Sequence, residues 1–315
     1  YKLWRLQNQT PIVELILVGF GNGPELQPLL FLLFLVIYLA AVAGNLLIVV
    51  LVVADRHLHT PMYYFLANLS AVEICYVSTT LPRLIGSLAT GDRTISLQNC
   101  YVQFHFCVIL STTQCHLLTA MCIDRYLAIC HPLRYPALMN GRVCCHMVAW
   151  AWIIAISYSI MLEMLILQLT FCGPKEFDHL VCDFAPTNSF CGESKTLSIG
   201  TNYVSIILTL SNFLLSLASY ACILISILRI RSSTGRQKAF STCSSHLIVV
   251  SVFNVCIIIN YVVPVFRPPP LQYKILSVFY GSLIPLINPV LYSLRNKEVN
   301  QALRTTIEKL AAFRH

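Results

Sequence analysis

Charged residues cut this chain into long apolar stretches. Seven stretches are nearly free of Asp, Glu, Lys and Arg, and the second is broken once, by Glu73. A helix crossing a bilayer needs roughly 20 apolar residues, because the hydrocarbon core is about 30 Å thick. Each stretch is long enough to cross once and too short to cross twice. The pattern predicts spans over about 26–54, 57–82, 94–130, 143–167, 196–228, 238–266 and 272–294. The expected fold class is an all-α membrane protein, a seven-transmembrane helix bundle forming one domain over 26–296. Residues 1–25 are polar and mixed, with Gly21, Gly23 and Pro24 just ahead of the first helix. They carry no cleavable signal pattern. After Asn296 the period changes. Val299, Leu303, Ile307 and Leu310 recur at helical spacing, with Lys297, Arg304 and Lys309 between them. This predicts a short amphipathic helix within 297–315, lying on the inner membrane face.

Composition supports a lipid environment. Hydrophobic residues make up 57% of the 315 positions and charged residues only 11%, against about 25% charged in a soluble domain. A net charge of +8 raises the question of nucleic acid. The Lys and Arg residues are scattered between apolar runs, however, and the aromatics lie inside those runs, where bases cannot stack. Membrane lipids are the expected surroundings, and nucleic acid is not an expected partner.

Lys and Arg concentrate on the cytoplasmic side of membrane proteins. With the N-terminus outside, the inner segments carry 13 of the 21 Lys and Arg residues, from Arg56 to Arg314. An odd number of spans then leaves 1–25 extracellular and 297–315 cytoplasmic. Asn8-Gln9-Thr10 is a glycosylation sequon, meaningful only on the lumenal side, so Asn8 is an expected glycan site. Of 14 Cys, ten fall within spans or at their inner ends, where free Cys packs as a small apolar residue. Cys100, Cys172, Cys182 and Cys191 fall on the outer, oxidising side, and four Cys allow three pairings. His105 and Cys107 lie near each other on the third span, but residues two apart on a helix point in different directions. No metal site is expected.

Six strings, in order, carry a family resemblance over nearly the whole chain. Gly44-Asn45 sits in the first span, and Pro61-Met62-Tyr63-Tyr64-Phe65-Leu66-Ala67-Asn68-Leu69-Ser70 opens the second. The third closes on Met121-Cys122-Ile123-Asp124-Arg125-Tyr126, followed by His131-Pro132-Leu133-Arg134-Tyr135. Ser219-Tyr220 lies in the fifth, and Lys238-Ala239-Phe240-Ser241-Thr242-Cys243-Ser244-Ser245-His246 opens the sixth. The seventh ends on Pro285-Leu286-Ile287-Asn288-Pro289-Val290-Leu291-Tyr292. Any one short string is weak. Together, each at its expected depth, they resemble the vertebrate odorant receptors, a family of rhodopsin-like (class A) G-protein-coupled receptors. The short N-terminus and long second outer loop look like its terrestrial-type class. Three departures stand out. Cys122 and Ile123 replace the usual Ala and Tyr, Glu73 stands where Asp is frequent, and Asn254 stands where the sixth span commonly has Tyr.

The resemblance implies function and roles. The chain would bind a small volatile odorant, activate a stimulatory, olfactory-type heterotrimeric G protein and raise cyclic AMP. It would not be an enzyme and would need no cofactor. It would be a multi-pass plasma-membrane protein, sited by family in the cilia of olfactory sensory neurons. The resemblance supports disulfides Cys100–Cys182 and Cys172–Cys191. It implies that Arg125 pairs with Asp124 at rest, within the Asp124-Arg125-Tyr126 triplet, and reaches the G protein when active. Tyr220 and Tyr292 would swing towards each other on activation, Pro289 would permit a kink, and His246 would help hold the inactive arrangement. Glu73, an ionisable group at membrane depth, is a functional candidate by its location alone. It would lie near Asn45, Gln114 and Asn288 in a polar core holding water or a sodium ion, or simply bracing the helices.

Ligands of helix bundles bind between helices. Helical spacing, anchored on the motifs, turns Phe104, Cys107, Val108, Ser111 and Thr112 of the third span inward. It does the same for Thr201, Val204, Ser205, Leu208 and Thr209 of the fifth, Asn254, Ile257, Ile258 and Tyr261 of the sixth, and Val278 and Gly281 of the seventh. This mixture of apolar and hydroxyl groups suits a small, mostly apolar molecule. It argues against an amine, which needs a carboxylate partner; Glu163 is the one exception to weigh. The alternatives are a rhodopsin-like receptor for another small molecule, or a seven-helix transporter or channel. A transporter usually shows repeats and several intramembrane charges, which this chain lacks. The run 275–294 contains no Lys, which disfavours a retinal protein.

Overall fold

The structure, a computed structural model, describes residues 14–17, 25–166, 176–177, 181–182, 194–229, 232–258, 279–295 and 297–312. Asn8, Cys172, Cys191, Tyr261 and Val278 lie outside these, as do the side chains of Thr201 and Tyr292.

Helix α1 spans Gln27–Ala54, with Pro28 in its first turn, where a missing N–H removes no helical bond. Asp55 then accepts from the His57 amide and starts a 3-10 turn over Arg56–Leu58. Helix α2 (Pro61–Thr90) follows and stops at Gly91, whose φ of 76° lies in the left-handed region that glycine enters without a Cβ clash. The second apolar stretch, 57–82, and this helix therefore have different limits. The 3-10 turn uses the first residues of the stretch. The helix passes Pro82 at its end and continues to Thr90, and the Arg83 side chain donates to the Thr94 carbonyl outside the helix. The turn after Gly91 is closed by Asp92, which accepts from the Thr94 amide and hydroxyl. These bonds hold its carboxyl below the usual carboxylate range.

Helix α3 (Leu97–Cys130) is capped by Ser96, whose hydroxyl accepts from the Asn99 amide, a standard N-cap contact. A four-residue helix, α4 (Tyr135–Leu138), follows a tight turn. Helix α5 covers Gly141–Ile166, α6 Ser194–Leu228 and α7 Ser233–Ile257. Helix α7 starts ahead of the expected 238. A π-helical turn over Phe279–Leu283 leads into α8 (Ile284–Arg295), and α9 covers Lys297–Ala312.

Helix α3 runs through the middle of the bundle, packing on α2, α5 and α6, while α1 packs on α2 and α8. The main core joins Leu117, Met121 and Cys122 of α3 to Leu66 and Leu69 of α2, Ile223 of α6 and Phe253 of α7. Val299 and Ala302 of α9 belong to the same cluster. The outward faces are apolar too, as with Leu29, Leu32, Val36 and Leu39 of α1. Gln27–Ala54, Leu97–Cys130, Gly141–Ile166 and Tyr203–Leu228 are long and apolar enough to cross a membrane. Hydroxyls inside the helices close on their own backbone: Thr80 on Tyr76, Thr113 on Ile109, Thr119 on Cys115 and Ser219 on Leu215. A hydroxyl without a partner is expensive in an apolar medium.

One end of the bundle carries a small sheet of order β2-β1-β3. Strand β1 (Glu14–Leu17) pairs antiparallel with β2 (Thr94–Ser96) and parallel with β3 (Glu176–Phe177). Side chains alternate across a strand, so Leu15 and Leu17 turn inward while Glu14 and Ile16 stay exposed. The inward pair joins Ile95, Ile166, Cys100 and Cys182 in a second apolar cluster.

Candidate functional site

A polar core lies between α1, α2, α3 and α8. Pro289 has no N–H, so the carbonyl of Pro285, four residues earlier, loses its helical donor. Asn45 of α1 replaces it: its Nδ2 donates to the Pro285 carbonyl at 2.9 Å and to the Ala41 carbonyl at 3.0 Å. The approach is close. A Cβ on Gly44 would stand 3.1 Å from the Pro289 Cβ. Asn288, beside Pro289, donates from its Nδ2 to Glu73 Oε1. The Asn288-Pro289 pair thus joins α8 to α2 and α1 at once. Asn45, Glu73, Gln114 and Asn288 are all at most 3% exposed. Asn45 Oδ1, Glu73 Oε2 and Gln114 Nε2 have no hydrogen-bond partner among the described residues. Buried polar groups left unpaired mark a place where solvent or a second arrangement satisfies them.

A second polar cluster lies at the end of the bundle away from the sheet. Asp124 is fully buried and accepts three hydrogen bonds. Arg125 gives two to Oδ2, from Nε at 3.0 Å and Nη2 at 2.7 Å. Tyr135 of α4 gives the third, to Oδ1 at 2.7 Å. Burial and the adjoining Asp124 carboxylate push the Tyr135 phenol above its ordinary range, so it stays protonated and donates. Tyr126 contacts His131 through its hydroxyl, 3.2 Å from Nε2. Tyr220 of α6 and His246 of α7 are hydrogen-bonded in the buried space between those helices. In the sequence Tyr135 stands out only as the end of the His-Pro-Leu-Arg-Tyr string, and no spacing rule connects it to Asp124.

The stripe of α3 expected to face a ligand is half-buried along its length. Phe104, Cys107, Val108, Ser111 and Thr112 are all half-buried, while Val102 and Phe106 on the opposite face are exposed. On α6, Val204, Ser205, Leu208 and Thr209 are half-buried, flanked by exposed Tyr203 and Ile207. On α7, Asn254 and Ile257 are buried and Ile258 half-buried. Asn254 donates its amide to its own Val250 carbonyl at 2.8 Å. Gly281 faces Tyr76, whose hydroxyl lies 3.7 Å from where a Cβ would be.

Two partners on α5 were missed from the sequence. The Tyr158 and Ser205 hydroxyls are 2.5 Å apart, so a hydroxyl expected to meet ligand already has a neighbour. Glu163 lies 3.2 Å from His105 Nδ1, and Ser159 Oγ lies 2.9 Å from the same nitrogen while donating to the His105 carbonyl. Glu163 is thereby engaged between α3 and α5. The half-helical offset of Tyr158 from the exposed Ile156 and Ile160 was the available signal. Cys100 and Cys182 form a disulfide, with Cα atoms 5.3 Å apart. Among the described residues no group of His, Cys, Asp and Glu is arranged to hold a metal.

Residues 34–309 match the family model described as olfactory receptor. Among curated relatives, the chain is 44% identical to human olfactory receptor 10C1 over 303 residues, covering 96% of this chain and 97% of that one. It is 41% identical to human olfactory receptor 6B1 over 95% of this chain and 96% of the relative. It is 43% identical to olfactory receptor 5M5 of Mus musculus, over 94% and 93%.

Proposed function

Because the chain belongs to the olfactory receptor family, we propose that it is an odorant receptor that activates a heterotrimeric G protein. It binds a small volatile between its helices, and the G protein of the stimulatory, olfactory type raises cyclic AMP. The observation that carries this is the family match over nearly the whole chain. The chain is not an enzyme, takes no cofactor, and is a multi-pass protein of the plasma membrane.

Helices α1, α2, α3, α5, α6, α7 and α8 are the seven spans, and α9 is an amphipathic helix on the cytoplasmic face. The sheet and the Cys100–Cys182 bond lie outside, with Asn8 glycosylated and Cys172 paired to Cys191. The half-buried stripes of α3 and α6, with Asn254, Ile257, Ile258, Tyr261, Val278 and Gly281, line the odorant site. Odorant binding favours an arrangement in which α7 has moved outward, a shift of population between two states. That shift releases Arg125 from Asp124 and Tyr220 from His246, freeing Tyr220 to approach Tyr292. The unpaired groups of the polar core are two acceptors, Glu73 Oε2 and Asn45 Oδ1, and one donor, Gln114 Nε2. Water satisfies both kinds, whereas a sodium ion is repelled by the donor, so a water cluster suits this core better.

Cells expressing the chain with an olfactory-type G protein should raise cyclic AMP to some member of a diverse volatile panel. Ion flux independent of any G protein would overturn the reading. In a responding receptor, truncating Ser111 or Asn254 to Ala should shift potency at unchanged surface level. An unchanged potency would remove them from the odorant site.

A further inference from the structure

Gln103 is one helical turn from Cys100 and shares its face of α3. Its side chain is buried, with 8% of the residue exposed, and both ends of its amide are engaged. Nε2 donates to the Thr79 carbonyl of α2 at 3.0 Å, and Oε1 accepts from the Cys182 amide at 3.2 Å. Both partners are backbone groups. The arrangement needs a donor and an acceptor on one side chain, which an amide supplies and a carboxylate or an amine does not.

The two partners are special places in the chain. Thr79 lies in the turn preceding Pro82, the proline inside α2, whose ring and missing N–H open the helix locally. Cys182 is bonded to Cys100 through sulfur. A disulfide alone fixes where the loop attaches but leaves its backbone free to pivot about the Cβ–Sγ bonds. The Gln103 bond to the Cys182 amide is a second attachment, and two attachments fix an orientation. Phe104, the next residue and the first of the ligand-facing stripe, packs against the apolar cluster that holds Cys100 and Cys182.

We propose that Gln103 is a positioning residue for odorant recognition. It sets the tilt of the chain at Cys182 beside Phe104 and ties that tilt to the Pro82 turn of α2. This rests on the odorant-receptor reading. The role is selective: a change in tilt alters which volatiles fit, not merely how much receptor is made.

The test uses the full-length receptor, as wild type, Gln103→Met and Gln103→Glu. Methionine keeps the volume and removes both bonds. Glutamate keeps an acceptor for Cys182 and sets a carboxylate against the Thr79 carbonyl. Cyclic-AMP dose–response curves are taken at matched surface level for volatiles of graded length to which wild type responds. Hydrogen exchange is read on purified receptor in nanodiscs over the segment holding Cys182. Gln103→Met is expected to speed exchange at Cys182 about tenfold and to reorder the potencies by a similar factor, the scale of one net hydrogen bond. Gln103→Glu is expected to keep Cys182 protected yet still reorder potencies. Unchanged exchange in Gln103→Met overturns the proposal, and so does an equal shift for every volatile. Where Gln103→Met does not reach the surface, an unchanged potency order in Gln103→Glu overturns it. If wild type responds to no volatile, the receptor reading fails, while the exchange arm still decides whether Gln103 holds the loop.

Discussion

Asp124 shows how much one side chain can hold. A buried carboxylate stripped of a partner costs several kcal/mol, and this one has Arg125 and Tyr135 on separate oxygens. Tyr135→Phe removes a single hydroxyl. A hydrogen bond to a charged group contributes about 1.5–3 kcal/mol, so its loss should ease the release of Arg125. Basal cyclic AMP should rise severalfold at equal surface level; a basal signal at or below wild type would reduce Tyr135 to packing. Arg125→Ala should instead abolish the odorant response while the receptor still reaches the surface, and a retained response would exclude Arg125 from G-protein contact. The triplet and the His-Pro-Leu-Arg-Tyr string were both legible. That they touch was not, because a helix end and a tight turn lie between residues 124 and 135, and no periodicity spans them.

At the scale of elements, the joint between α1 and α8 is the most demanding. Asn45→Ala strands the Pro285 carbonyl in a buried site, at a cost of about 1–3 kcal/mol. Pro289→Ala gives α8 its own N–H for that carbonyl, so Asn45→Ala should then cost less. A double-mutant cycle on thermal unfolding of the solubilised receptor should show coupling of about 0.5–3 kcal/mol. Equal costs in both backgrounds would mean that Asn45 serves another partner. The helices themselves were legible from their apolar runs, but their ends were less so. Arg83 reads as the end of a span, yet the helix runs on to Thr90 while the Arg83 guanidinium reaches past it to the Thr94 carbonyl. The inward faces of α3 and α6 were legible by spacing. The Tyr158 neighbour of Ser205 was not, since spacing selects a face and says nothing of what the next helix brings to it.

Across the whole molecule, the sheet end is built from three distant pieces. Leu15 is fully buried there. Leu15→Ala should cost about 2–5 kcal/mol and lower both surface level and melting temperature, whereas Glu14→Gln, on the exposed face, should change neither. A Leu15→Ala receptor as stable as wild type would show that the strand merely rests on the bundle. None of this sheet was legible: strands of four, three and two residues are too short for alternation to register, and only the fold brings them together. Their order has a consequence in time. Ribosomes make β1 first, yet it is the middle strand, and its neighbours come only at 94–96 and 176–177. Long-range pairings of this kind form late. The middle strand therefore waits with both edges open until α1, α2, α3 and α5 have been made. Closure of the sheet then marks a chain whose first half has folded in order, and a stalled chain would betray itself by a bare strand.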